Sequence, residues 1–141
     1  MDVVTAVGLT ASLVQLIDLV SKTISFLGRI KNAPKERANL AVELAGLLPL
    51  LTSLRYRVEE FVGKEEKGSS WFAAVRFLGV KNGPIDQLQN TMKVMSTTVS
   101  TRHSFKESVV WPFKKKDMET HLHKIERLKS LIVLAFQDDL S

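Results

Sequence analysis

Hydrophobic positions dominate the first stretch of the chain. From residue 2 to about residue 28, Val3, Val4, Val7, Leu9, Leu13, Val14, Leu16, Ile17, Val20, Ile24, Phe26 and Leu27 are apolar. Small and polar residues recur through them at Thr5, Gly8, Ser12, Gln15, Asp18, Lys22, Ser25 and Arg29. Steps of three and four draw one stripe along a helix, with Asp2 as its N-terminal cap. The apolar arc is wider than an ordinary surface helix carries. Some 26 helical residues reach about 40 Å, enough to cross a bilayer core. Gln15 and Asp18 interrupt the run, so a constitutive span is not expected. A signal peptide is disfavoured too, because Asp2 stands where a basic region belongs.

A second segment opens at Pro34, a residue suited to the first position of a helix. Leu40, Leu44, Leu47, Leu51, Leu54, Val58 and Phe61 keep a seven-residue seam for three repeats, the signature of helix–helix packing. Pro49 lies inside it and predicts a kink, or a division into two helices. Residues 63–69 read as a polar loop. Residues 71–78 read as a short aromatic helix stopped by Gly79. After Asn82-Gly83-Pro84 the positions Ile85, Leu88, Met92, Met95 and Val99 give another stripe, which should fray over residues 100–104, where Ser and Thr are frequent. Phe105, Val109, Val110, Trp111 and Phe113 form an apolar connector closed by Pro112. The last segment, about 114–137, carries Met118, Leu122, Ile125, Leu128, Ile132 and Ala135.

The predicted architecture is all-α: an antiparallel helical bundle of four main helices plus a short extra one, in a single domain over residues 1–141. Its expected core is Leu40, Leu44, Leu47, Leu51, Leu54, Leu88, Met92, Leu122, Ile125, Leu128 and Ile132. The first helix is expected to close the bundle by burying Val3, Val7, Val14, Ile17 and Ile24 against the leucine seam, for about 8–15 kcal/mol before entropy.

Composition narrows the function. The 141 residues contain no Cys, which excludes disulfides, thiolate zinc sites and Cys nucleophiles. No phosphate-cradling glycine loop, nucleophile–base–acid series or carboxylate pair in apolar surroundings occurs, so no enzyme and no cofactor is expected. Asp117, Glu119, His121 and His123 suggest a metal site, but too few side chains share one face. The net charge of +5 is uneven: residues 1–70 hold 9 basic and 8 acidic side chains, residues 71–141 hold 11 and 7. Its densest point is Lys114, Lys115 and Lys116. These lysines suit plain solvation or contact with anionic lipid. Trp111 beside them leaves RNA open, but the base-reading and stacking patterns of nucleic-acid binders are not clear here. Cations at a helix start oppose its dipole, a conflict that vanishes if Pro112 and Phe113 hold the lysines outside the helix. The spacings Gly8-x-x-x-Ser12 and Ala6-x-x-x-Thr10 suit either close packing within the bundle or self-association in lipid.

Two stretches resemble a known family. Val7-Gly8-Leu9-x-Ala11-Ser12-Leu13-Val14-Gln15-Leu16-Ile17-Asp18 looks like the opening of the HeLo-like domain. Trp111-Pro112-Phe113-Lys114 with Ile125-Glu126-Arg127-x-Lys129-Ser130-Leu131 looks like its closing part. The likeness runs from residue 1 to about 138. HeLo-like domains stand ahead of NACHT- or other STAND-type receptor modules, or of amyloid-signalling motifs, in fungal immunity and heterokaryon incompatibility. The resemblance implies a cell-death execution domain, cytoplasmic at rest, that self-associates when a cognate receptor or amyloid partner activates it. It then relocates to the plasma membrane and inserts its first helix. The inserting residues would be Val3, Val7, Gly8, Leu9, Leu13, Val14, Leu16, Ile17 and Val20, with Lys114, Lys115 and Lys116 on anionic lipid. Gln15, Asp18 and Lys22 would then have to face a lumen or another protomer. The chain stops within a few residues of where such a domain normally ends, so a longer parent protein is expected; no nucleic-acid partner is expected, a small basic nucleic-acid binder being a third class. The alternative is a homotypic adaptor domain without membrane activity.

Overall fold

The computed structural model describes residues 3–62, 70–101 and 111–140, and side chains within 5–60, 73–97 and 111–137. It contains five helices: α1 (Val3–Leu27), α2 (Pro34–Val62), α3 (Ser70–Leu78), α4 (Pro84–Thr101) and α5 (Lys115–Leu140). No strand occurs among the described residues. The expected cap at Asp2, the loop over 63–69, the frayed end over 102–104, and Phe105, Val109 and Val110 lie outside the described residues. So do the side chains of Val3, Phe61 and Val99.

The helix boundaries follow local chemistry. Ala33 takes a left-handed φ of 54°, and its carbonyl accepts the Arg37 amide at 3.0 Å to begin α2. The Arg37 guanidinium reaches back to the Ile30 carbonyl, pinning the α1–α2 turn. Gly79 closes α3 by donating to the carbonyls of Val75 and Arg76, each at 3.2 Å. Before α4, Asn82 has a φ of 61°, and its amide donates to the Asp86 carboxylate at 3.0 Å. That carboxylate satisfies an otherwise orphaned donor near the helix start.

Pro49 does not divide its segment; α2 is assigned as one helix through it. Pro49 is exposed, and so is Ala45. The carbonyl deprived of its helical partner therefore opens to water, which keeps the loss small.

Leu40, Leu44, Leu47, Leu51, Leu54 and Val58 are all fully buried, and α2 packs along α1 on one side and α5 on the other. Helix α4 completes the ring between α1 and α5, while α3 lies on α5 and touches α4. The core adds Ile85, Leu88, Met92 and Met95 from α4, and Met118, Ile125, Leu128, Ile132 and Ala135 from α5. Leu122 departs from expectation. It is half-buried, because it sits on the rim of a surface cavity rather than under another helix.

Cross-chain contacts fix directions. Along α2 and α5 they advance together: the Trp111 amide donates to Asn32 Oδ1 at 2.7 Å, and Lys129 pairs with Glu43 at 3.1 Å. Further on, Phe136 shares a groove with Leu50 and Tyr56. Helices α1 and α4 also advance together, from Leu9 beside Gly79 to the Gln89 side-chain amide donating to Gln15 Oε1.

The face that α1 buries is not the expected one. Val7 and Val14 are 54% and 40% exposed, and Ile17 and Ile24 are only half-buried. Ala6, Leu9, Leu13, Leu16, Val20, Thr23 and Leu27 are buried instead, at regular steps of three and four. Apolar residues nearly all round the helix make its phase ambiguous, and the larger leucines take the buried positions. Six large buried side chains, Phe26 included, are worth roughly 9–18 kcal/mol before conformational entropy.

Neighbouring substitutions test this phase. Leu13→Ala should cost about 2–5 kcal/mol in urea unfolding. Val14→Ala should change stability by less than about 0.5 kcal/mol. Equal losses would restore the expected face.

Candidate functional site

Two surface regions concentrate the candidate residues. The first is the outer side of α1, where Thr5, Val7, Gly8, Ala11, Val14, Gln15, Asp18, Lys22 and Ser25 are exposed. A Cβ built on Gly8 would meet nothing within 4 Å. Gly8 is therefore not a close-packing position, and the intrabundle reading of Gly8-x-x-x-Ser12 fails at its first residue. Ala6 is buried, and the Thr10 hydroxyl bonds back to the Ala6 carbonyl at 3.0 Å. Toward the C-terminal end, Lys22 pairs with Asp18 at 2.9 Å, both largely exposed. The stretch Thr5–Leu27 is long and apolar enough to cross a membrane, and only 28% of its most apolar window is buried.

The residues expected to insert fall on two faces. Leu9, Leu13, Leu16 and Val20 are buried in the core. Val7, Gly8 and Val14 are exposed, and Ile17 is intermediate. The helix is thus committed to protein on one side and open on the other.

The second region surrounds the start of α5. Lys114, Lys115 and Lys116 are exposed, but they are not held outside the helix. The Lys114 carbonyl accepts the Met118 amide at 2.9 Å, so Lys114 is the cap and the other two occupy the first turn. Their conflict with the dipole stands, partly offset by Asp117 in the same turn. The Trp111–Asn32 bond puts these lysines at the end where α1 passes into α2. Val14 lies 13 residues before the end of α1, about 20 Å along its axis. The Val7–Val14 part of the first region is therefore separate from the second.

Beside the lysines, Glu36 and Asn39 of α2, Trp111 and Phe113 of the connector, and Lys115, Met118, Glu119 and Leu122 of α5 line a cavity of about 410 Å³. The Trp111 and Phe113 rings stand 74° apart with centroids at 5.2 Å. Phe113 in turn meets His121 edge to face at 6.3 Å. Sequence periodicity does not reveal this cavity. Only the Trp-Pro-Phe run directly before the lysines signals it, because Glu36 arrives from a distant helix.

His121 and His123 do not form a metal centre with their neighbours; among the described residues no group of three or more His, Asp or Glu could share an ion. His123 is exposed. His121 Nδ1 is buried without a hydrogen-bond partner. Burial holds the His121 pKa below its ordinary 6.5; Lys124 lowers it further, against an opposing pull from Asp117.

Because folding favours neutral His121, its contribution is complete above the unfolded pKa of 6.5 and declines as pH falls below it. Urea unfolding at pH 7.5 and 5.5 should show the native protein losing more stability than His121→Phe. An equal loss would remove His121 as the cause.

No family model, curated protein or solved structure matches this chain.

Proposed function

We propose that this chain is a membrane-targeting cell-death execution domain of the HeLo-like kind. Its five helices form a bundle whose successive long members alternate in direction. On activation by a receptor or amyloid partner the domain self-associates, moves from the cytoplasm to the plasma membrane and inserts α1. The sequence resemblance supplies the family. The observation that carries the mechanism is the state of α1: an apolar helix of spanning length whose most apolar window is only 28% buried, with Val7, Gly8 and Val14 exposed beside the stripe of Gln15, Asp18 and Lys22.

The energetics of this reading are specific. Removing α1 exposes Leu9, Leu13, Leu16 and Val20, so release must be offset by lipid and by oligomer contacts. The exposed lysines at the start of α5 provide initial docking at about 1 kcal/mol each on an anionic surface.

A second reading rests on α2. Ala38, Val42, Ala45, Pro49, Thr52 and Tyr56 are all exposed, and their steps of four and three draw an uncharged stripe opposite the leucine seam. This face suits a second copy of the same chain, as a homotypic adaptor would use it.

Purified protein should release dye from anionic vesicles. Ile17→Glu, off the stripe of Val14, Asp18 and Lys22, should reduce leakage roughly a hundredfold relative to Ile17→Ala, because a charge in the bilayer centre costs about 3 kcal/mol. Leakage equal to that of Ile17→Ala would refute insertion of α1. Replacing Lys114, Lys115 and Lys116 with Gln should weaken vesicle binding roughly a hundredfold, and binding unchanged by that triple substitution would remove the docking role. If Val42→Glu abolishes self-association in a protein that never permeabilises vesicles, the adaptor reading stands instead.

A further inference from the structure

We infer that the cavity between α2 and the start of α5 is a binding site for a quaternary ammonium group, and specifically for the choline headgroup of a phospholipid. The inference deepens the membrane reading above by naming a headgroup, and it rests on that reading for the source of the ligand.

The walls carry the argument. Trp111 and Phe113 present two ring planes inclined at 74°, centroids 5.2 Å apart, so they make a corner rather than a flat stack. Methylated cations bind in such corners because the ring faces are electronegative and the N-methyl groups are apolar enough to pack on them. The corner is fixed before any ligand arrives. The Trp111 backbone is tied to Asn32 at 2.7 Å, and the Phe113 ring is backed by His121. Little ordering entropy remains to oppose binding.

The charges select the ligand. Glu36 and Glu119 line the same cavity as the two rings, against one cation, Lys115. Two carboxylates beside aromatic walls favour a positive guest. Lys115 supplies the opposite charge at the rim, next to exposed Lys114 and Lys116. A phosphocholine group carries its ammonium and its phosphate on one short linker, and it can satisfy both signs at once. A trimethyllysine side chain has the ammonium but no phosphate beside it, and it leaves Lys115 unused. At about 410 Å³ the cavity has room for a headgroup.

The test uses soluble phosphocholine with no bilayer present, so it succeeds or fails independently of vesicle leakage. In a Trp71→Phe background Trp111 is the sole indole of the chain, and its emission reports the cavity. Phosphocholine and choline chloride should both give saturable changes, phosphocholine the tighter. Glu36→Gln with Glu119→Gln should weaken both by about tenfold or more. Lys115→Gln should weaken phosphocholine and leave choline unaffected. Both glutamates are exposed, so their substitution tests the site without emptying the core. No saturable response to choline at millimolar concentration, a response indifferent to the glutamates, inorganic phosphate binding as tightly as phosphocholine, or a trimethyllysine peptide binding more tightly would each overturn the assignment.

Discussion

Burial of one helical edge organises the molecule. The edge is Leu40, Leu44, Leu47, Leu51, Leu54 and Val58, six side chains of α2 with no solvent exposure. Helices α1 and α5 both lie on it. Non-directional apolar attraction brings such surfaces together, and the fit of side chains into the opposing helix sets how they sit. Polar contacts then refine the register. The Lys129–Glu43 pair is about three-quarters buried at both ends. The lysine runs so close to Gly46 that a Cβ there would stand 3.0 Å from its Nζ. A glycine on the flank of α2 thus makes room for a cation crossing from α5.

The same edge decides which side of α1 is free. The leucines of α1 go into the common core, and the smaller Val7, Gly8, Ala11 and Val14 remain outside. The aromatic connector and the lysines belong to the other end of the bundle. On the membrane reading proposed above, these elements meet a bilayer in two distinct geometries: headgroup contact at the start of α5, and hydrocarbon contact along α1. Passing from one to the other requires α1 to move relative to the rest.

Much of this was legible in the residue pattern. The α2 seam, the start at Pro34, the stop at Gly79 and the stripes of α4 and α5 all follow from spacing that only one helical phase satisfies. The phase of α1 was not legible, because apolar residues on nearly every side permit several faces, and tertiary packing chose among them. At Pro49 the pattern left a kink and a division both open, for a related reason. The proline's penalty depends on whether water reaches the freed carbonyl, and local sequence does not give that exposure. The cavity beside Trp111 was hidden because Glu36 and Glu119 meet only through the tertiary fold.

The Gln15–Gln89 bond gives α1 an asymmetric attachment. The leucines of α1 lie in the common core, where exposure to water is costly in proportion to area. On its α4 side a neutral amide pair contributes, and separated amides recover nearly all of that bond from solvent. Parting α1 from α4 therefore gives up little at this amide pair, and the cost lies in the apolar burial around it. Because α2 is also held by α5, any parting of α1 from α4 leaves α2 in place.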